Sequence, residues 1–250
     1  MIMAVTELNE KGITGPFELA DKSLVDPCTE IALALQDFIK HNNRVAQLAG
    51  KPRTFGAKID RHHEFEAMQQ LFADANVQAT VAEHFGKELF LYNSVFQIKR
   101  DGVGENIWHH DRIFENGGAP VDLHNTDNHF SILFALTDLG WDQGRLEYVR
   151  GSHQPVEDLD RTLRFHKTLP ACLDDRIDAL TLKKGEFAVF HSALMHRSLP
   201  FESGDLRVSL AVRLARNGTV VPEMFPTDRV QGDGSYGFAK LNPSAVIQFN

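Results

Sequence analysis

The segment Gly185-Glu186-Phe187-Ala188-Val189-Phe190-His191-Ser192-Ala193-Leu194-Met195-His196-Arg197-Ser198 decides the fold. A glycine turn feeds a short apolar run, and a histidine follows just beyond it. A run of that length bounded by turn residues suits a buried strand and is too short for an ordinary helix. Comparable runs lie at Leu89–Lys99, Phe130–Leu136, Arg145–Val149 and Arg207–Leu214, and Glu186–Phe190 is the strand within the quoted segment. Turn-rich stretches separate them at Arg100–Glu105, Glu115–Pro120, Trp141–Gly144, Arg150–Pro155, Lys183–Gly185 and Pro200–Asp205.

Upstream of Gly86 the pattern is different. Ile31, Leu33, Leu35, Phe38 and Ile39 recur at helical spacing and predict a helix over Pro27–Asn42. Phe65, Met68, Leu71, Phe72, Val77, Val81 and Phe85 predict a second over Glu64–Phe85, with Gly86 as its C-cap. Helices followed by many short strands predict a mainly β protein with flanking helices, a sandwich or barrel with the helices packed on one outer face. No linker or repeat divides the chain, so a single domain is expected. It has a helical part over residues 1–88, a strand-rich core over 89–216 and a C-terminal extension over 217–250. Glu157–Leu180, longer and charged, reads as a helical insertion or a lid.

With 250 residues, 42% of them hydrophobic, the chain can bury a substantial core. A formal net charge of -8 argues against a general nucleic-acid binder. Cys28 and Cys172 are too few for a disulfide framework and fit a reducing cytoplasmic setting. No segment reads as a secretory signal, and no apolar stretch is long enough to span a bilayer. These properties leave no expected role for nucleic acid or membrane; the small-molecule substrate expected as partner rests on the placement of particular residues.

Chemistry concentrates at Trp108-His109-His110-Asp111. In extended backbone, residues two apart project to one face, so His109 and Asp111 aim at one point while His110 turns away. An imidazole and a carboxylate on one face are two of the three ligands of a 2-His-1-carboxylate triad, which leaves iron(II) open positions for other ligands. By itself, His-x-Asp is common by chance and more often marks a surface turn. A third ligand has to come from a distant strand, and His196 is the candidate. Beyond it, Arg207-Val208-Ser209 opens another strand-like run. The Arg207 fork suits a carboxylate, and Ser209 shares its face. A metal would hold the keto-acid end of 2-oxoglutarate while Arg207 and Ser209 grip the far carboxylate.

This ordered set resembles the phytanoyl-CoA dioxygenase family from about Glu64 to Ala215. Trp108-His109-His110-Asp111 is similar to its Trp-His-x-Asp motif. Ala135-Leu136-Thr137-Asp138, Gly144-Arg145-Leu146 and Gly151-Ser152-His153 resemble a second stretch, and Gly185–Ser198 a third. The resemblance implies a double-stranded β-helix, the cupin-like jelly roll. It also implies Fe(II) on His109, Asp111 and His196, 2-oxoglutarate salt-bridged by Arg207, and O₂ as oxidant. Tyr92–Lys99 resembles the corresponding strand of ectoine hydroxylases in this family. Asn93 and Gln97 share a parity there and are expected to face the cosubstrate, with Ser198 as a further contact. One departure and one retained residue matter. The family's Asn-Gly pair is Gln143-Gly144 here. Asp111 is retained where halogenating relatives carry a small residue, which argues for hydroxylation.

Arg112, Phe114, His129, Ser131, Arg145 and His191 flank these strands and are expected substrate contacts. His62, His63 and His84 read as surface or packing residues, and His153 as closing a turn. His41, His124 and His166 lie in polar surroundings with no partner at metal-ligand spacing. The implied activity is a hydroxylase acting on a small polar metabolite such as an amino acid or derivative, with release of succinate and CO₂. Desaturation or ring closure would share its beginning. A metal-holding jelly roll without turnover and a hydrolytic zinc site are the other readings, and the second leaves Arg207 without a purpose.

Overall fold

A computed structural model describes residues 2–50, 59, 61–111, 128–160, 165–204, 206–219, 224–230, 236–240 and 247–249. The chain begins with α1 (Ile2–Lys11), β1 (Ile13–Glu18) and α2 (Val25–Leu48), followed by α3 (Glu66–Phe72) and α4 (Ala75–Phe85). The strands then run β2 (Leu89–Lys99), β3 (Asn106–His109), β4 (His129–Ala135), β5 (Leu146–Val149), β6 (Phe165–His166) and β7 (Ile177–Leu180). They continue with β8 (Glu186–His191), β9 (His196–Ser198), β10 (Arg207–Arg216), β11 (Met224–Val230), β12 (Tyr236–Lys240) and β13 (Ile247–Phe249). A six-stranded sheet in the order β1-β8-β4-β10-β2-β13 and a five-stranded sheet in the order β6-β3-β9-β5-β7 carry the fold, and all their pairings are antiparallel. Strands β11 and β12 pair with each other. The architecture is a jelly roll.

Strand alternation sorts side chains between two apolar layers. On the outer face of the large sheet, Phe130, Ile132 and Phe134 of β4, Phe187 and Val189 of β8, and Val208, Leu210, Val212 and Leu214 of β10 pack under the helices. Ring contacts tie the layers together: Phe85 stacks on Phe130 with centroids 4.0 Å apart, and Phe134 lies 6.0 Å from Phe72. Residues of opposite parity face the second sheet. Leu133, Ala135, Ala188 and Phe190 meet Leu146, Tyr148 and Leu180 there. Arg207, Ser209, Ala211 and Arg213 have that same inward parity along β10. The space between the sheets is therefore where charge is buried.

Several elements depart from the sequence expectation. The helix expected over Glu64–Phe85 is two helices, because Asp74 stops α3 and starts α4. Its carboxylate accepts from the N–H groups of Asn76 at 2.9 Å and Val77 at 3.3 Å, and from those of Ala20 and Asp21 at 3.1 and 2.9 Å. Gly86, as expected, caps α4 at φ +80° and donates to the carbonyl of Ala82. Helix α1 and strand β1 had no counterpart in the sequence reading; Gly15 and Pro16 interrupt the apolar pattern of β1, which an edge strand tolerates. Glu157–Leu180 is not a helical insertion. Its described part holds β6, a 3₁₀ turn over Ala171–Arg176, and β7, which is the edge strand of the small sheet beside β5. Strand β13, from the C-terminal part, closes the far edge of the large sheet against β2. Among the described residues no helix is long and apolar enough to cross a membrane.

Asp74 is 5% exposed and serves four backbone donors. Asp74→Ala removes a helix cap and leaves those donors to find water, so it should cost about 2 kcal/mol or more. Urea unfolding of the variant beside wild type measures this, and a loss below about 0.5 kcal/mol would show that the cap is dispensable.

Candidate active site

His109 ends β3 and His196 begins β9, and the two strands pair so that these residues are opposite each other. Their ring centroids lie 4.4 Å apart. Asp111 follows β3 by two residues, and its N–H donates to the carbonyl of Ser192 at 2.8 Å, which fixes the turn. One donor atom from each of His109, Asp111 and His196 lies within 4.8 Å of the others. The distant strand brings His196, the candidate for a third ligand, to the His-x-Asp pair.

The histidines are oriented for coordination. Nδ1 of His109 is 2.7 Å from the carbonyl of Ile107, and Nδ1 of His196 is 2.9 Å from that of Leu194. A carbonyl only accepts, so each Nδ1 carries the proton and each Nε2 keeps its lone pair for an ion. Burial, and then the neighbouring charge of His196, pushes the His109 imidazole down to about 4. His196 is also lowered, first by burial, with Asp111 acting in the opposite sense. Burial alone would raise the carboxyl of Asp111. The Arg213 guanidinium, with the two imidazoles, outweighs it and holds Asp111 well below the usual carboxylate range.

Across a narrow slot from this cluster lies Arg207, 3% exposed. Its Nη1 donates to the carbonyl of Gly144 at 2.7 Å and its Nη2 to Oγ of Ser209 at 3.0 Å. Both acceptors are neutral, and burial lowers Arg207 to about 10. Its Nε and the hydroxyl of Ser198, which also lines the slot, are buried without a hydrogen-bond partner. A buried cation and two unused polar atoms around one slot fit an anionic ligand. Gly144 is needed beside it, at φ +72°, because an added Cβ would lie 2.8 Å from the carbonyl oxygen of Leu199. Gln143 serves its turn by accepting from the N–H of Gly140 at 3.0 Å.

Two residues missed by the sequence reading belong here. Lys99, 4% exposed, donates to the carbonyls of Gly104, Ser198 and Leu199 at 3.0, 3.1 and 2.6 Å. Burial and the charge of Arg207 bring it down to about 8, with Glu105 opposing. Arg213 donates to Oδ1 of Asp111 at 2.6 Å and to Oδ1 of Asn93. Strand parity was the available signal for both, since Lys99 shares its face with Asn93 and Gln97, and Arg213 with Arg207 and Ser209.

The other expected residues divide clearly. Asn93 and Gln97 line a cavity of about 550 Å³ that opens beside His109, and Gln97 also lines the slot. Ser131, expected as a substrate contact, is fully buried and donates to Oδ2 of Asp111 at 2.9 Å. Arg145 is drawn out of the site by Glu147 at 3.0 Å and by the Trp141 ring, 4.3 Å from its guanidinium carbon. His191 stacks on His153 at 4.6 Å, and His129 meets the ring of Tyr92 at 6.0 Å. Neither borders the cavity or the slot among the described residues. Arg112 and Phe114 lie outside the described residues. His62 is a packing residue, with Nδ1 2.7 Å from Oγ of Ser94.

A jelly roll that gathers two imidazoles and one carboxylate opposite a buried arginine is built as a non-haem iron oxygenase. The chain belongs to the phytanoyl-CoA dioxygenase (PhyH) family, whose profile matches residues 10–209. Among solved structures, the non-haem α-ketoglutarate-dependent carbocyclase SnoK from nogalamycin biosynthesis superposes with a TM-score of 0.64 at 15% identity, over 98% of this chain and 95% of its own. The non-haem monooxygenase ThoJ in its nickel complex gives 0.62 at 15% identity, over 97% and 85%. CytC3 with Fe(II) and α-ketoglutarate gives 0.57 at 21% identity, over 95% and 87%. At these identities the likeness is one of fold. No curated protein matches by sequence.

Neutral imidazoles in the folded state make stability depend on pH. Between the ordinary 6.5 and about 4, the unfolded chain binds more protons at His109 than the folded one. Acidification through that window therefore favours unfolding. The Tm of the metal-free protein should fall between pH 7 and pH 5, and fall less steeply in His109→Gln. Equal slopes for the two proteins would contradict the assignment of a neutral His109.

Proposed function

We propose that the protein is an Fe(II)- and 2-oxoglutarate-dependent hydroxylase of a small molecule, with His109, Asp111 and His196 as the iron ligands. The observation that carries this is the pairing of a three-donor cluster with a buried cation, Arg207, that has only neutral partners. Iron(II) with 2-oxoglutarate and O₂, when bound, supplies oxidation of a C–H bond with release of succinate and CO₂. The chain's own part is placement. His109 and His196 present Nε2 because their Nδ1 protons are held by main-chain carbonyls. Arg207 and Ser209 receive the distal carboxylate of the cosubstrate, and Ser198 borders its path. Leu133, Leu146 and Phe190 wall the slot and keep water out.

The cavity bears on the substrate. About 550 Å³ is room for a molecule of drug-like size. Ile59, Val95, Ile107 and Phe165 supply apolar wall, and Asn93, Gln97 and Asn106 supply amides. This favours an amino-acid derivative on a larger amphipathic scaffold over a free amino acid. Asp111 keeps a carboxylate where halide would otherwise bind, so hydroxylation is preferred to halogenation. Ring closure is the second reading, favoured by the likeness to a carbocyclase; mass analysis separates the two, by a gain of one oxygen atom or a loss of two hydrogens. A cytoplasmic setting belongs to the same proposal, on the strength of two free cysteines.

Anaerobic addition of Fe(II) and then 2-oxoglutarate should give a weak visible charge-transfer band in the wild type. His109→Ala and His196→Ala should lose it together with retained iron. Tight zinc binding with no band would favour the hydrolytic reading instead. Arg207→Ala, which removes a buried charge partner, should raise the 2-oxoglutarate requirement at least about thirtyfold. An unchanged cosubstrate dependence would defeat the assignment of the slot.

A further inference from the structure

The two histidines of the cluster are steered by main-chain carbonyls, but Asp111 is steered by side chains. Those side chains come from a single row of the large sheet. Arg213 of β10 is in register with Ser131 on β4 to one side and with Asn93 on β2 to the other. All three are buried. From this row Arg213 donates to Oδ1 of Asp111 at 2.6 Å, and Ser131 donates to Oδ2 at 2.9 Å. Asn93 accepts from the other arm of the Arg213 fork, and Ser192 Oγ lies 3.1 Å from that of Ser131. Among the described residues each carboxylate oxygen thus has one side-chain donor and keeps a lone pair for other use.

We propose that Arg213 is a positioning residue for the metal site, locking the Asp111 carboxylate in one rotation and neutralising it so that the ion meets a preset oxygen. The proposal rests on the reading of His109, Asp111 and His196 as metal ligands. Geometry separates this role from generic charge burial. A lysine would supply the charge, but only a planar fork reaches Asp111 with one arm while Asn93 holds the other. The guanidinium also lines both the outer cavity and the slot, so its orientation is set where cosubstrate and substrate meet. Partners of ligating groups that lie one shell out are worth tenfold to a hundredfold in metal affinity, of the order of about 1.4–2.7 kcal/mol.

The test uses Co(II) affinity, by competition with a chelator, on full-length wild type, Arg213→Gln, Arg213→Lys and Asn93→Ala, with the Tm of each metal-free protein as a folding control. Arg213→Gln should bind Co(II) about 10–100-fold more weakly. Arg213→Lys should recover part of the loss, and Asn93→Ala should show a smaller one. The Fe(II)·2-oxoglutarate band should shift or broaden in Arg213→Gln, a change that loss of stability alone does not produce. Unchanged or tighter Co(II) binding in a folded Arg213→Gln, with the band unmoved, would overturn the proposal. If that variant does not fold, wild-type affinity and an unmoved band in Asn93→Ala would overturn it. A wild type that binds no Co(II) would instead sink the metal-site reading itself.

Discussion

Asp111 sets the terms for the rest of the site, because a carboxylate 2% exposed between two sheets must find its counter-charge inside the protein. Arg213 supplies that charge, Ser131 satisfies the second oxygen, and the main chain at Ser192 holds the turn. None of these groups is local to Trp108–Asp111. They arrive from β10, β4 and the segment after β8, so the carboxylate cannot be placed until the large sheet has formed. The same sheet carries Arg207 on the same strand and face as Arg213. One alternating strand therefore holds both the cation paired with Asp111 and the cation that lines the slot. That is an economical way to set a distance, since the separation is fixed by strand rise rather than by flexible loops.

The strand framework was legible because its apolar parity is regular. Leu89–Lys99 is matched to the residue, and the other expected strands differ by one or two positions at their ends. The convergence of His109, Asp111 and His196 was legible as well, because two residues apart on extended backbone means one face, and family motifs supplied the distant histidine. Other parts depended on information that a linear reading does not hold. Strand β1 is hidden by Gly15 and Pro16 and exists as an edge against β8. The break at Asp74 is a cap, but its meaning lies in two further donors from residues 20 and 21. Ser131 and Arg213 have readable parity, yet their meeting at Asp111 depends on cross-strand register, which is a tertiary property. Arg145 was misplaced for a related reason: an exposed Trp141 ring and Glu147 offer it partners on the outer face of the small sheet.

Electrostatics give the two ends of the slot different characters. At the Asp111 end, the Asp111–Arg213 pair is neutral as a unit, and burial disfavours charge on the two imidazoles. At the far end, Lys99 and Arg207 flank Gly144, and among the described residues no carboxylate hydrogen-bonds to either. Such a field favours an anionic group at the arginine end over the same group at the carboxylate end, and so orients a two-ended acid. The outer cavity has a mostly apolar wall, with the amides of Asn93, Gln97 and Asn106 set in it, which suits a ligand held by shape and a few hydrogen bonds. On the proposed reading, orientation of the cosubstrate and choice of the substrate fall to different surfaces.

The most direct test is anomalous diffraction at the iron edge from crystals grown anaerobically with Fe(II) and 2-oxoglutarate. The expected result is one iron peak at bonding distance from Nε2 of His109, Nε2 of His196 and a carboxylate oxygen of Asp111, with the distal carboxylate of 2-oxoglutarate seated on Arg207. An iron peak away from those three side chains, or a cosubstrate whose carboxylate avoids Arg207, would contradict it.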